Sequence, residues 1–312
     1  MNDSLIISSS PHFRGKMTTQ KIMGGVLLCL LPSVIASGVI FGMRALLLVA
    51  VCASSCVIIE FFCRLVMKRK QTVSDLSAAV TGTLLALTLP PDINIGYALF
   101  GCVCAIVVIK QMFGGIGQNF INPAIGARVI MLVSFPDAMT KFTYDGVTCA
   151  TPLSAGASFK DLFLGTTGGC IGETCALAII IGGVALIALR IIKPTIPVIY
   201  VGTVAIMSAI LGKDVLVQVF GGGLLLGAFF MATDYTTSPL TDLGKVIYAL
   251  GCGLLTVVIR FYANLPEGVS YAIMLMNVLT PLIDRLIVPK SFGQIKKKKA
   301  KKNKALPEQE GK

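Results

Sequence analysis

Apolar residues run through this chain in long blocks, separated by short polar punctuation. Ten blocks can be drawn: residues 22–42, 45–67, 76–91, 95–112, 120–135, 173–190, 195–212, 214–232, 244–262 and 268–288. A stretch of ~20 apolar residues matches the hydrocarbon thickness of a bilayer, so each block predicts a membrane helix. Several blocks are short, with Pro or Gly at their ends. That pattern fits tilted or broken helices buried among neighbours, because lipid-facing backbone must be fully hydrogen-bonded. The expected fold class is an all-α polytopic membrane protein with about ten transmembrane helices.

Composition agrees. Hydrophobic residues make up 55% of the 312 positions and charged residues 13%, about half the charged share of a soluble domain. The first apolar block has no small-residue cleavage site at its end, so a removable signal peptide is not expected. The net charge of +12 is mostly one feature. Seven lysines lie between Lys296 and Lys304, and subtracting them leaves +5. This run follows the last apolar block, where it suits anionic lipid at about 1 kcal/mol per lysine near the surface. No aromatic residues interleave with it, so nucleic acid is not the expected partner.

The remaining basic residues set a direction. With the amino terminus cytoplasmic, one side holds Arg14, Lys16, Lys21, Lys68, Arg69, Lys70, Lys110, Arg190, Lys193, Lys245, Arg285, Lys290 and the lysine tail. The other side holds Arg44, Lys141, Lys160, Lys213 and Arg260. The positive-inside rule then places both termini in the cytoplasm and the 136–172 loop outside.

The second half of the chain echoes the first. "YALFGCVCAIVVIK" (Tyr97–Lys110) aligns with "YALGCGLLTVVIR" (Tyr248–Arg260), pairing Gly101-Cys102 with Gly251-Cys252 and Lys110 with Arg260. Gly82 and Thr88 match Gly227 and Thr233 at equal spacing. The matched blocks are five apart, and an odd offset reverses direction across the membrane. The expectation is two inverted five-helix repeats, 22–135 and 173–288. They are flanked by a cytoplasmic segment 1–21 and a basic cytoplasmic tail 289–312, and joined by the outward loop 136–172. Blocks three and eight run into breakers, "LTLPPD" and "ATDYTTSP", whose exposed helix ends can hold an ion or polar ligand.

Charges within the blocks need partners. Glu60 and Arg64 stand four apart, a pairing distance on a helix. Arg128 lies within "GGIGQNFINPAIGARVI" with no acid nearby in sequence. It calls for a partner from another helix, backbone carbonyls or an anionic ligand. The glycines of that stretch allow close backbone approach, and Asn119 and Asn122 supply amide hydrogen bonds. Asp234 and Asp242, near the end of block eight, suit capping, loop or ion-binding roles. Eight of the ten cysteines fall in apolar runs as small hydrophobes; Cys149 and Cys170 fall outside, where a disulfide is open to them. With no C-x-x-C pair and His12 as the only histidine, neither a zinc nor a four-cysteine iron–sulfur site is expected. Gly114-Gly115-Ile116-Gly117 opens no strand–helix unit and is not a dinucleotide fingerprint.

The loop segment "DGVTCATPL", Asp145–Leu153, crowds small residues around Thr151. Thr before Pro is an ordinary helix start; "SPLTDL" at Ser238 repeats that logic. The other reading is that the hydroxyl carries a covalent group, for which Cys149 and Ala150 leave space. A threonine hydroxyl is a weak nucleophile with no base adjacent here, so a separate transferase would be required.

Longer blocks carry a resemblance. "SPHFRGKMTTQKIM", "FGGIGQNFINPAIGAR", "GETCALAIIIGG", "ATDYTTSPLTDLGK" and "ANLPEGVSYAIMLMNVLTPLIDR" together resemble the RnfD family, the D-type subunits of the Rnf complex. That complex is an ion-translocating ferredoxin:NAD+ oxidoreductase of the bacterial cytoplasmic membrane. The chain is more distantly similar to the B-type subunits of the sodium-pumping NADH:quinone oxidoreductase. The resemblance implies FMN joined through its phosphate to Thr151, made by a flavin transferase, in a motif matched by Thr148, Cys149, Ala150 and Thr151. Cys149 stands where that family usually has Gly; Asp145 and the Ala-Thr pair agree. It implies a second, non-covalent flavin, riboflavin, with residues 114–128 (Asn119, Asn122 and Arg128 among them) as a candidate wall. It also implies electron flow between ferredoxin and NAD+ coupled to Na+ or H+ translocation. Other subunits must then supply the iron–sulfur and NAD sites. Read without the resemblance, the repeat alone also fits a small-solute channel or carrier, and the chain could be a passive anchor.

Overall fold

The computed structural model describes residues 18–144, 147–149, 153, 158–263 and 268–288. Each of the ten apolar blocks is helical. They form α1 (Thr19–Phe41), α2 (Met43–Val66), α3 (Ser77–Leu87), α4 (Ile95–Gln111) and α5 (Pro123–Ser134). The intervening loop carries a short α6 (Pro136–Met139), strands β1 (Phe142–Tyr144) and β2 (Val147–Cys149), and α7 (Phe159–Leu164). Then come α8 (Ala176–Ala188), α9 (Thr195–Ile210), α10 (Val215–Phe220), α11 (Leu224–Leu226), α12 (Asp242–Tyr262) and α13 (Gly268–Leu286). The helix starts follow capping chemistry. Thr18, Asn94, Asn122, Asp214 and Thr241 each accept a backbone N–H two or three residues on, which satisfies donors the helix leaves open. The expected start at Ser238-Pro239 is not used; Thr241 caps α12 instead.

This is a membrane protein. α1, α2, α12 and α13 are long and apolar enough to cross a bilayer by length and composition, and five more apolar helices are shorter. Large apolar side chains such as Leu28, Val39, Phe62, Val66 and Leu282 point outward, as a lipid-facing surface requires. Small residues let the helices approach closely. A Cβ on Gly82 of α3 would sit 2.5 Å from the Cys52 carbonyl of α2, and one on Gly182 of α8 2.2 Å from the Cys29 carbonyl of α1. Both contacts are possible only for glycine. The aligned glycines behave alike: a Cβ on Gly101 would strike Met131 Sδ at 2.3 Å, and one on Gly251 would strike Met276 Cε at 2.5 Å.

Two departures from expectation matter, and one open alternative is decided. The fold is not purely helical, because β1 and β2 form an antiparallel hairpin in register Phe142↔Cys149, Thr143↔Thr148, Tyr144↔Val147. Block eight is broken inside, where Gly222 and Gly223 adopt φ +65° and +69° between α10 and α11, a conformation glycine reaches without strain. No disulfide joins Cys149 and Cys170, both of which are thiols.

The end of α3 confirms its broken character. It stops at Thr88, whose hydroxyl donates to Leu85 O at 2.7 Å. The carbonyls of Leu87 and Leu89 accept from the backbone N–H groups of Gly172 (2.7 Å) and Ile171 (3.0 Å). The loop before α8 thus satisfies a helix end that would otherwise be orphaned in the interior.

Candidate functional site: a cavity beside a buried ion cluster

Two helices carry π-type turns, in which N–H groups bond five residues back. In α4 they span Cys104–Gln111, ending with Met112 N to Val107 O at 3.0 Å. Beyond α11 they span Gly227–Met231, closing with Ala232 N to Gly227 O at 2.7 Å. Such turns widen the helix and shift the side chains that follow, and they recur at functional sites. Both stretches line one cavity of about 290 Å³, to which α4 contributes Lys110 and the second stretch Phe229 and Phe230.

The cavity lies between α1, α3, α5, α8 and these two stretches. Its walls are largely apolar (Met23, Val26, Leu84, Leu186), with a few polar groups converging at one end. Asn119 and Asn122 are among them, as the sequence indicated. Asn122 Oδ1 accepts from Ala124 N at 3.0 Å as the cap of α5, and its Nδ2 donates to Met231 O at 3.2 Å. It ties α5 to the π-type stretch. Asn119 Nδ2 donates to Ile121 O at 3.0 Å, and its oxygen accepts from the Thr236 hydroxyl at 3.3 Å. Asp234 completes this corner, accepting from Thr236 at 2.9 Å and Thr237 at 3.3 Å. Burial pushes the Asp234 carboxyl pKa up, and the hydrogen bonds from Thr236 and Thr237 oppose that rise. The Tyr235 hydroxyl donates to Ile191 O, strapping the loop after the π-type stretch to the end of α8.

Arg128 is not in this wall. Its Nη1 meets Glu173 Oε1 at 2.9 Å and its Nη2 approaches Cys170 Sγ at 3.4 Å. The partner is therefore a carboxylate 45 residues along the chain, which no local pattern could reveal. Asp242 is likewise a surface pair, with Lys193 at 2.6 Å.

Sequence reasoning missed the role of Lys110, counting it only toward the basic side of the membrane. It is 3% exposed. Its Nζ donates to Glu60 Oε2 at 2.9 Å and to Ser77 Oγ at 2.6 Å. Glu60, fully buried, accepts on its other oxygen from Gln111 Nε2 at 2.7 Å. The expected Arg64 partner stands farther off, Nε to Oε1 3.6 Å, and its Nη1 turns to Lys70 O at 2.7 Å. One carboxylate thus offsets two cations. Ser77 continues the chain by donating to Asp75 Oδ1 at 2.6 Å. Asp75 lines a separate polar hollow at the surface, with Gln20, Gln71, Thr72 and Ser74. Thr19 and Ile116 line both spaces, so hollow and cavity are neighbours.

At the opposite end of the bundle Arg260, also buried, donates to Gln218 O (2.7 Å), Gln218 Oε1 (3.2 Å), Gly221 O (3.2 Å) and Gly222 O (3.0 Å). Leu153, two residues past Thr151, packs there: a Cβ on Gly222 would meet its Cδ1 at 2.3 Å. Asp145, Ala150 and Thr151 themselves lie outside the described residues. Of Thr148 only the backbone is described, opposite Thr143 in the hairpin. Among the described residues no group of three or more His, Cys, Asp or Glu is arranged to hold a metal.

Residues 6–293 match the family described as NQR2, RnfD, RnfE. The chain is 49% identical to the D subunit of the Na+-translocating ferredoxin:NAD+ oxidoreductase complex of Acetobacterium woodii, over 97% of this chain and all of the relative. It is 40% identical to the D subunit of the proton-translocating ferredoxin:NAD+ oxidoreductase complex of Clostridium ljungdahlii, covering 92% and 96%. It is 37% identical to the D subunit of the ion-translocating oxidoreductase complex of Stutzerimonas stutzeri, covering 89% and 93%.

Proposed function

The chain belongs to the NQR2, RnfD, RnfE family, and from that premise we propose that it is the flavin-carrying membrane subunit of its complex. It is a subunit of an ion-translocating ferredoxin:NAD+ oxidoreductase, not an enzyme alone. The observation that carries this reading is near-half identity along almost the whole chain to a D-type subunit, together with the Thr148-Cys149-Ala150-Thr151 motif. The ten helical blocks are ten crossings with both termini in the cytoplasm of a bacterial cell. They form two inverted repeats; the matching glycine–methionine contacts at Gly101 and Gly251 support that pairing.

FMN is attached through its phosphate to Thr151 on the outward loop. A flavin accepts electrons in pairs and passes them singly, and the protein sets its position and potential. For a non-covalent flavin, riboflavin, the cavity is the fitting place. Its volume is at the lower end of ligand cavities, Phe229 and Phe230 offer aromatic faces, and Asn119, Asn122, Thr236 and Asp234 supply polar contacts at one corner. Arg128, held by Glu173, is withdrawn from that role. The relatives differ in the ion they are named for, Na+ in one and protons in the other.

The test is direct. The chain, made with its transferase and denatured in a gel, should fluoresce as a flavoprotein under ultraviolet light, and Thr151→Val should be dark. A dark wild-type band would end the tethered-flavin reading and favour a solute carrier. Asn122→Leu should release the non-covalent flavin while leaving the fluorescent band intact.

A further inference from the structure

Four polar groups stand in unbroken hydrogen-bonded order: Asp75 Oδ1, Ser77 Oγ (2.6 Å), Lys110 Nζ (2.6 Å) and Glu60 Oε2 (2.9 Å). The first lines a surface hollow, and the second and third line the cavity. An isolated ion pair would need no such connection to the surface. Buried ionisable groups in membrane helices mark ion or proton routes, because leaving them there is costly.

We propose that Asp75, Ser77 and Lys110 form a proton relay from the surface hollow to the cavity, with the Glu60 carboxylate holding the Lys110 side chain in place between deliveries. The proposal rests on the reading that the cavity takes a redox-active ring, which gains basicity as electrons reach it. Those electrons are supplied by ferredoxin through the other carriers of the complex.

The relay balances atom by atom. A Lys110 N–H bond breaks and its proton passes to the acceptor in the cavity, leaving a neutral amine. Asp75 first takes a proton from hydronium in the hollow; it then passes that proton from Oδ1 to Ser77 Oγ as the Ser77 hydroxyl proton moves to Lys110 Nζ and restores the ammonium. Asp75 is left as the carboxylate that accepts from Ser77, ready for the next proton. A lysine amine suits this task because its charge is a compact point on a flexible stem and it deprotonates when its surroundings change.

Other charged or titratable groups around Lys110 are few. Glu60 and Arg64 face it from α2 and Asp75 from the turn before α3. Asp234 shares the cavity wall, Arg69 reaches Gln111 O at 3.2 Å, and Cys56 lies close enough to feel its charge. Among these only Asp75 joins the relay to the surface hollow. It also caps α3 by accepting from Ser77 N at 2.9 Å. Asn at position 75 keeps that cap oxygen but cannot carry a proton.

The experiment uses the intact complex carrying wild-type chain, Asp75→Asn, Asp75→Glu or Ser77→Ala. Non-covalent flavin released on denaturation gives the loading. A pH-indicator dye in weak buffer then follows proton uptake during reduction, alongside flavin bleaching. Loading should be unchanged in Asp75→Asn, because Asp75 does not line the cavity. Its proton uptake should slow roughly tenfold or more. Asp75→Glu should restore the rate, and a small diffusible weak acid should rescue Asp75→Asn, which a merely structural defect would not permit. Ser77→Ala should be slow as well. A fully loaded Asp75→Asn complex that takes up protons at the wild-type rate would overturn the relay alone. A wild-type complex with no non-covalent flavin would overturn the cavity reading and the relay with it.

Discussion

Lys110 and Arg260 occupy aligned positions in the two halves of the chain, and both are buried, yet their charges are balanced in different ways. Lys110 is held by a carboxylate and a hydroxyl, Glu60 and Ser77, beside a cavity. Arg260 is held by oxygens of Gln218, Gly221 and Gly222, none of them ionisable. A guanidinium cannot deprotonate in a protein, and amide and carbonyl oxygens do not titrate. Arg260 is therefore a fixed positive charge that pins the break between α10 and α11. Lys110 has partners that can exchange protons. Aligned positions in the sequence thus hold a clamp at Arg260 and, at Lys110, a cation whose neighbours include a carboxylate and a hydroxyl.

The most damaging way to break the comparison is to remove Glu60. Glu60→Ala leaves Lys110 and Arg64 buried without their carboxylate, which costs about 3–5 kcal/mol. Thermal unfolding in detergent should show it, and adding Lys110→Met should recover part of the loss. If the double variant is no better than the single, the pair is not coupled as drawn. Arg260→Lys should cost less, about 1–3 kcal/mol, because a point charge cannot replace the forked set of bonds to four oxygens. Gly222→Ala tests the clamp from the other side. It places a Cβ at φ +65° against Leu153 and Arg260 Nη2, costing about 1–2 kcal/mol for the backbone alone. Proteolysis of the 136–172 loop should quicken in step, since Leu153 loses its seat.

The smallest effect concerns pH at Asp234. Its folded carboxyl pKa is raised by burial, so the folded state favours the neutral acid. Stability from this corner is complete below the ordinary carboxylate range and is lost as pH rises through the raised value. Asp234→Asn should flatten that part of a stability–pH curve; an unchanged slope would place the titration elsewhere.

Several of these features are legible in the sequence because they depend on local chemistry. Long apolar blocks had to become helices, since a bilayer offers backbone groups no other partner. Pro123 after Asn122 had to begin one. The breakers after Leu87 and Ala232 fall where helices end. Arg128 is visibly in need of a partner, but Glu173 is supplied by a loop far along the chain. Lys110 misleads for the opposite reason. A lysine at a helix end normally reaches water, and only the packing of α2 and α3 around it, with the π-type turns of α4, turns it inward.

The sequence by itself determined the membrane class, the helical blocks, the aligned halves and the family, because hydrophobic length, helix breakers and long ordered motifs are properties of consecutive residues. Tertiary structure alone decided which buried charges meet, where the cavity lies and which groups connect it to the surface. Those are contacts between residues tens of positions apart, and their energies depend on distance and burial that no stretch of sequence encodes.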